Sequence, residues 1–139
     1  MTTAPSPMLP VQAAVYTRLT ADSALSGLIT GVYDYVPEDV VFPYVTVGEA
    51  IETPDNTVGA LGRETVITLH VWTRARGHAK GLTIAARVTA LLDHQPLTIA
   101  GSAHIATRYE FAQTLIDPEP PGDVRHVVLR YRVVTEQLP

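Results

Sequence analysis

Five histidines, at positions 70, 78, 94, 104 and 126, are the residues best suited to metal chemistry in this chain of 139 residues. No two stand three or four apart, the spacing that would put two imidazoles on one helix face, and there is no cysteine to join them. His94 follows a helical pattern, where a partly positive ring complements the negative end of the helix dipole. Ser102 and His104 share a strand face, but Ala100-Gly101-Ser102-Ala103 is not a nucleophile elbow, and no carboxylate is placed to orient the ring. Glu49 and Glu52 differ by three positions on a strand, so they point to opposite faces instead of forming an acid–base pair. Glu110 is expected to pair with Arg108 or Arg130, the ordinary arrangement of a mid-strand acid. Gly59 and Gly62 could loop around a phosphate, but a strand follows them where a helix would be needed. The expectation is a protein that is not an enzyme, with no catalytic residue, no metal and no cofactor.

Charge narrows the partners. Net charge is −4, and the cations are one lysine, Lys80, and nine scattered arginines. A protein that grips nucleic acid needs clustered cations against the phosphates. Charged residues make up 17% of the chain, below the roughly 25% typical of soluble domains. One reading is a surface partly covered by other subunits; the other is a neutral, Thr-rich surface. No apolar run approaches the roughly 18–20 residues needed to cross a bilayer. Met1 to Pro10 carries neither a basic segment nor an apolar stretch, so a secretory signal is not expected. These features suggest a soluble protein made and used in a cytoplasm, without membrane contact.

The elements that position these residues follow from periodicity. Residues 1–8 read as a flexible lead, 9–136 as one domain and 137–139 as a tail. Met8, Val11, Val15 and Leu19 place one apolar stripe on a helix over 9–20. Asp22 can cap a short helical turn that Gly27 ends. Val32, Tyr33 and Tyr35 suggest a short strand. Pro43 opens a strand over 44–52 with Val45, Val47 and Ile51 on one face. The polar stretch 53–63 reads as a loop of about 11 residues, longer than the hairpin norm of about 2–5. A strand over 64–73 puts Ile67, Leu69 and Val71 inward and Thr68, His70 and Trp72 outward. A helix over 78–93 clusters Ile84, Ala85, Val88, Leu91 and Leu92. Leu97 to Ile99 reads as a short strand. A longer strand follows, with Ile105, Tyr109, Phe111 and Leu115 on one face. The last strand, 124–136, buries Val127, Leu129, Tyr131 and Val133. The predicted fold is α+β, a mainly antiparallel sheet of four to five strands with two to three helices on one face.

Six residues are candidate interface positions. Trp72 lies on the face away from the core, as a second packing layer or an anchor. Arg63, Arg74 and Arg76 bracket its strand. Asp55 and Asn56 lie in the long loop, a candidate contact with a partner.

The order of these pieces carries a resemblance. An N-terminal helix leads to Val32-Tyr33-Asp34, then to Phe42-Pro43-Tyr44-Val45-Thr46-Val47-Gly48-Glu49 and Leu69-His70-Val71-Trp72-Thr73-Arg74. The helix Gly81 to Leu92 follows, and the chain closes with Arg125 to Val133. Over roughly 9–136 this resembles the tail-completion, or tail-terminator, proteins that join head to tail in long-tailed phages and prophages. The resemblance implies a structural virion protein forming a ring, usually of six, at the head-proximal end of the tail. Such a ring stops growth of the tail tube and docks the tail to a neck connector, and DNA passes through it without specific binding. It implies location in the virion, and in the host cytoplasm during assembly. Two other readings stay open: another neck component, such as a head-completion or tube protein, and a small monomeric enzyme or ligand-binding domain.

Overall fold

The apolar stripe of the first helical pattern becomes helix α1, Met8–Thr20, in the computed structural model, which describes residues 5–139. Residues 1–4 of the expected lead lie outside the described residues; Pro7 is buried and stands at the helix start. Val11, Val15 and Leu19, spaced one turn apart, are the buried residues of α1. Asp22 caps α2, Ser23–Ser26, by accepting from the Leu25 N–H at 2.8 Å. Helix α3, Ala79–Leu92, buries Ile84, Ala85, Val88, Leu91 and Leu92 as its periodicity requires.

Among the described residues, five strands form one sheet: β1 (Val32–Tyr33), β2 (Tyr44–Pro54), β3 (Gly62–Arg74), β4 (Ser102–Ile116) and β5 (Val124–Gln137), in the order β1-β2-β3-β5-β4. Only β1 and β2 run parallel. The three helices cover one face, so the α+β expectation holds. The core lies between that face and the helices, with Leu69, Leu129 and Tyr131 at its centre. Two polar ties fasten the helical layer. Arg87 donates to both oxygens of Asp22, at 2.8 and 2.6 Å, and this pairing, with the Leu25 N–H, holds the Asp22 carboxyl down to about 2. Arg18 Nε donates to the Leu91 carbonyl at 2.9 Å, joining α1 to the end of α3.

Several expected boundaries and faces are corrected. β2 and β3 run further than expected, to Pro54 and from Gly62, so the connection is residues 55–61 and not 53–63. It folds back on itself through a Thr57–Ala60 bridge, and Asn56 Oδ1 accepts from the Gly62 N–H. Tyr35 lies beyond the two-residue β1 and is exposed. Leu97 and Ile99 are buried without joining a strand. In β2 the register slips by one residue between Val47 and Ala50. That bulge turns Ala50 to the core and leaves Ile51 63% exposed on the other face, instead of beside Val45 and Val47.

β4 carries two such slips, at Ile105 and at Glu110. Tyr109 therefore faces the core side opposite Tyr131, whereas Phe111 faces away, opposite Arg130, and not all four expected residues share a face. The bulge at Glu110 also redirects its carboxylate, which bonds Arg132 in place of Arg108 or Arg130. His94 ends α3 with φ 59, and its Nδ1 stands 2.9 Å from an Asp93 carboxylate oxygen. Its backbone geometry suits a helix terminus.

Candidate functional site

The helices leave one face of the sheet open, and alternation along β2, β3, β5 and β4 decides what stands on it. Near the start of β2 and the end of β3, Tyr44, Trp72, His70 and His126 make a layer of rings. The His126 and Trp72 rings stack at 3.9 Å with an interplanar angle of 11°, and Tyr44 stacks on the other side of Trp72 at 6.4 Å. Trp72 Nε1 donates to Thr46 Oγ1 at 3.1 Å, so the indole is half-buried and fixed in one orientation. Arg74 lies over the Phe42 ring at 4.8 Å. Phe42, the first residue of the motif Phe42 to Glu49, is therefore part of this layer.

His70 Nδ1 and His126 Nε2 lie 2.6 Å apart, so one ring must donate and the other accept. Burial, and then the neighbouring His70 ring, push the His126 imidazole down to about 4 from 6.5. The unfolded chain therefore binds this proton more readily than the folded one, and stability falls as pH drops from 6.5 towards 4. The expected loss over this window is on the order of 1–2 kcal/mol once solvent screening is allowed for. Replacing His126 with glutamine should flatten that limb in urea titrations run at each pH. An unchanged slope in the variant would assign the proton elsewhere.

Towards the other end of the face the side chains are charged and mutually satisfied. Arg132 bridges Glu64, at 3.1 Å, and Glu110. His70 Nε2 stands 3.6 Å from a Glu49 oxygen, and Arg130 covers the Phe111 ring at 4.9 Å. A shallow depression of about 340 Å³ lies among Glu49, Glu64, Glu110 and Arg130. Glu64 and Glu110 already share Arg132, and no polar groups converge there on the volume of a small substrate. Among the described residues, no group of three or more His, Asp or Glu side chains is placed to hold a metal. His104 Nε2 is spent on Thr107 Oγ1 at 2.7 Å.

The six candidate contact residues fall into two groups. Asp55, Asn56 and Arg63 lie at the β2–β3 turn, where Arg63 bonds the Gly62 carbonyl and Asn56 the Gly62 N–H. Trp72, Arg74 and Arg76 lie at the far end of β3, on the order of 40 Å away for a strand of this length. There the Arg76 carbonyl accepts from Arg125, and the Arg76 side chain is exposed. The fold thus separates residues that the sequence could only name together.

A protein-family model described as tail completion protein gp17 matches residues 13–136. In sequence, the chain is 26% identical over 122 residues to the tail completion protein gp17 of Bacillus phage SPP1, covering 88% of this chain and 89% of that one. Among solved structures, it is similar to a chain of the virion of a native gene transfer agent particle. That match has a TM-score of 0.81 and 28% identity, and covers 90% of this chain and 93% of the other. It also shares its fold with the gp17 protein of bacteriophage SPP1, with a TM-score of 0.61 at 24% identity over 92% and 88% of the two chains.

Proposed function

The chain belongs to the tail completion protein gp17 family, and from that premise we propose that it caps the head-proximal end of a phage-type tail as a ring of about six copies. The ring ends growth of the tail tube and joins the tail to a neck connector. The match of the family model across both the helical layer and the sheet is the observation that carries this reading.

Charge and surface are consistent with it. Six chains of −4 give about −24, a balance that lets DNA pass without holding it by its phosphates. A ring needs two different patches on each subunit, and this chain offers an open aromatic sheet face and free strand edges. The two groups of candidate contacts at opposite ends of β3 suit one axial partner each. Asp55, Asn56 and Arg63 would face one neighbour in the tail–neck stack, and Trp72, Arg74 and Arg76 the other. Assembly would take place in the host cytoplasm and end in the virion.

Deleting the gene in the parent particle is the test. The expected result is filled heads and unjoined tails of abnormal length, seen by electron microscopy. Normal, joined particles would overturn the reading.

A further inference from the structure

β4 is the edge of the sheet, and its two halves are treated differently. In the first half the end of α3 occupies two of the outward-facing backbone groups: the Thr107 carbonyl accepts from the His94 N–H at 2.9 Å, and the Tyr109 N–H donates to Asp93 Oδ1 at 2.8 Å. Past the Glu110 bulge, Ala112, Thr114 and Ile116 pair with Leu129, Val127 and Arg125. They fall on the same side of the antiparallel alternation as Thr107 and Tyr109, so their N–H and C=O groups also point away from β5. None of those groups has a backbone partner among the described residues.

Edges left open in this way are normally guarded by a charge, a proline, a bulge or a short length. The run Phe111-Ala112-Gln113-Thr114-Leu115-Ile116 has no charged residue and no proline, and Leu115 and Ile116 are exposed. Such an edge calls for a strand to lie against it.

The same sheet has one other open edge. β1 covers β2 only at Val45 and Thr46, which leaves the stretch from Ala50 to Thr53 without a strand neighbour among the described residues; the segment before α1 touches it through a side chain, the Ser6 hydroxyl donating to the Glu52 carboxylate at 2.8 Å. β4 runs antiparallel to β5, β5 to β3 and β3 to β2, so β4 and β2 point in opposite directions. A second copy kept in the same orientation therefore presents its β2 antiparallel to this β4. The two edges differ, so the contact is heterologous and can repeat around a ring, whereas β4 against β4 would stop at a dimer.

We propose that the edge Phe111–Ile116 docks a second copy of this chain, pairing antiparallel with that copy's β2 at Ala50–Thr53 and continuing the sheet across the subunit boundary. This rests on the ring reading and names its contact.

Two experiments in the parent particle test it. The chain has no cysteine, so one cysteine on each edge, Thr114→Cys with Glu52→Cys, is a unique pair for a short bismaleimide. Assembled particles of the double variant should yield covalent multiples of the 15.0 kDa chain, and neither single variant should do so. Absence of those multiples, or a product joining the chain to a different protein, overturns the proposal. In the second, Thr114→Pro removes an outward N–H that no intrachain strand uses, while Thr114→Ala keeps it. In cells lacking the native gene, alanine should restore joined particles and proline should lower their yield at least tenfold. Equal yields from the two variants overturn the edge contact while leaving the deletion phenotype, and so the ring reading, intact.

Discussion

Tyr131→Ala should lower the unfolding free energy by about 4 kcal/mol, the range set by removing a large buried aromatic ring. Tyr131 is 0% exposed, the largest of the fully buried side chains, and stands on β5, which joins β3 to β4. Its ring meets Tyr109 edge-on at 6.2 Å, and its hydroxyl shares a 2.8 Å hydrogen bond with Thr89 Oγ1 on α3. Burial raises its hydroxyl far above the ordinary tyrosine range, so it stays a neutral hydrogen-bonding group. Against a typical stability of about 5–15 kcal/mol, such a loss leaves the domain marginal. Tyr131→Phe isolates the hydroxyl and should cost about 1 kcal/mol. Urea unfolding with a constant m-value measures both. A loss below 1 kcal/mol for the alanine variant would show that the ring is not clamped between sheet and helix.

Gly62→Ala should cost about 3 kcal/mol, the upper end of what overpacking usually does. Gly62 is buried where β3 begins, and a Cβ there would come within 2.3 Å of the Asp55 carbonyl oxygen and 3.1 Å of that of Thr135. Both obstacles are backbone, and the Asp55 N–H to Gly62 carbonyl bond at 3.0 Å keeps the two segments together. The substitution must push the hairpin mouth apart and break the Asn56 bond to the Gly62 N–H. Gly59 gives the contrast. It has open space around it and a φ of 90°, so alanine there meets only backbone strain, about 1 kcal/mol. The order of the two variants in unfolding midpoint is the check; a larger loss at Gly59 would reverse the assignment.

These two glycines also show how far the chain could be read in one dimension. Both stand in a stretch that reads as a turn, and the sequence treats them alike. One is a φ requirement, legible in principle from turn chemistry. The other is a distance to residues seven and seventy-three positions away along the chain, which no local pattern contains.

The histidines follow the same division. Their spacing argued against metal ligation, but nothing in it said that His70 and His126, on different strands, would share a proton across 2.6 Å. The register of β3 with β5 decides that pairing. The outward position of Trp72 was legible from alternation on β3; its stacking on His126 was not.

The sequence by itself determined the helices and the strands of the sheet, though it added a strand at Leu97 to Ile99 that does not form, along with the α+β class, the inward faces of α3, β3 and β5, and the family resemblance that the family-model match over 13–136 supports. Periods of 2 and 3.6 carry that information within a few residues of chain. Only the tertiary structure decided the faces of β2 and β4, because a single extra residue at Glu49 or Glu110 reverses every side chain beyond it, and the bulge exists only against a partner strand. It also decided which edges stay open. Strand order places β4 on the rim, and the C-terminal end of α3 covers only its first half, leaving Phe111–Ile116 with hydrogen-bonding groups that the chain's own described strands do not fill.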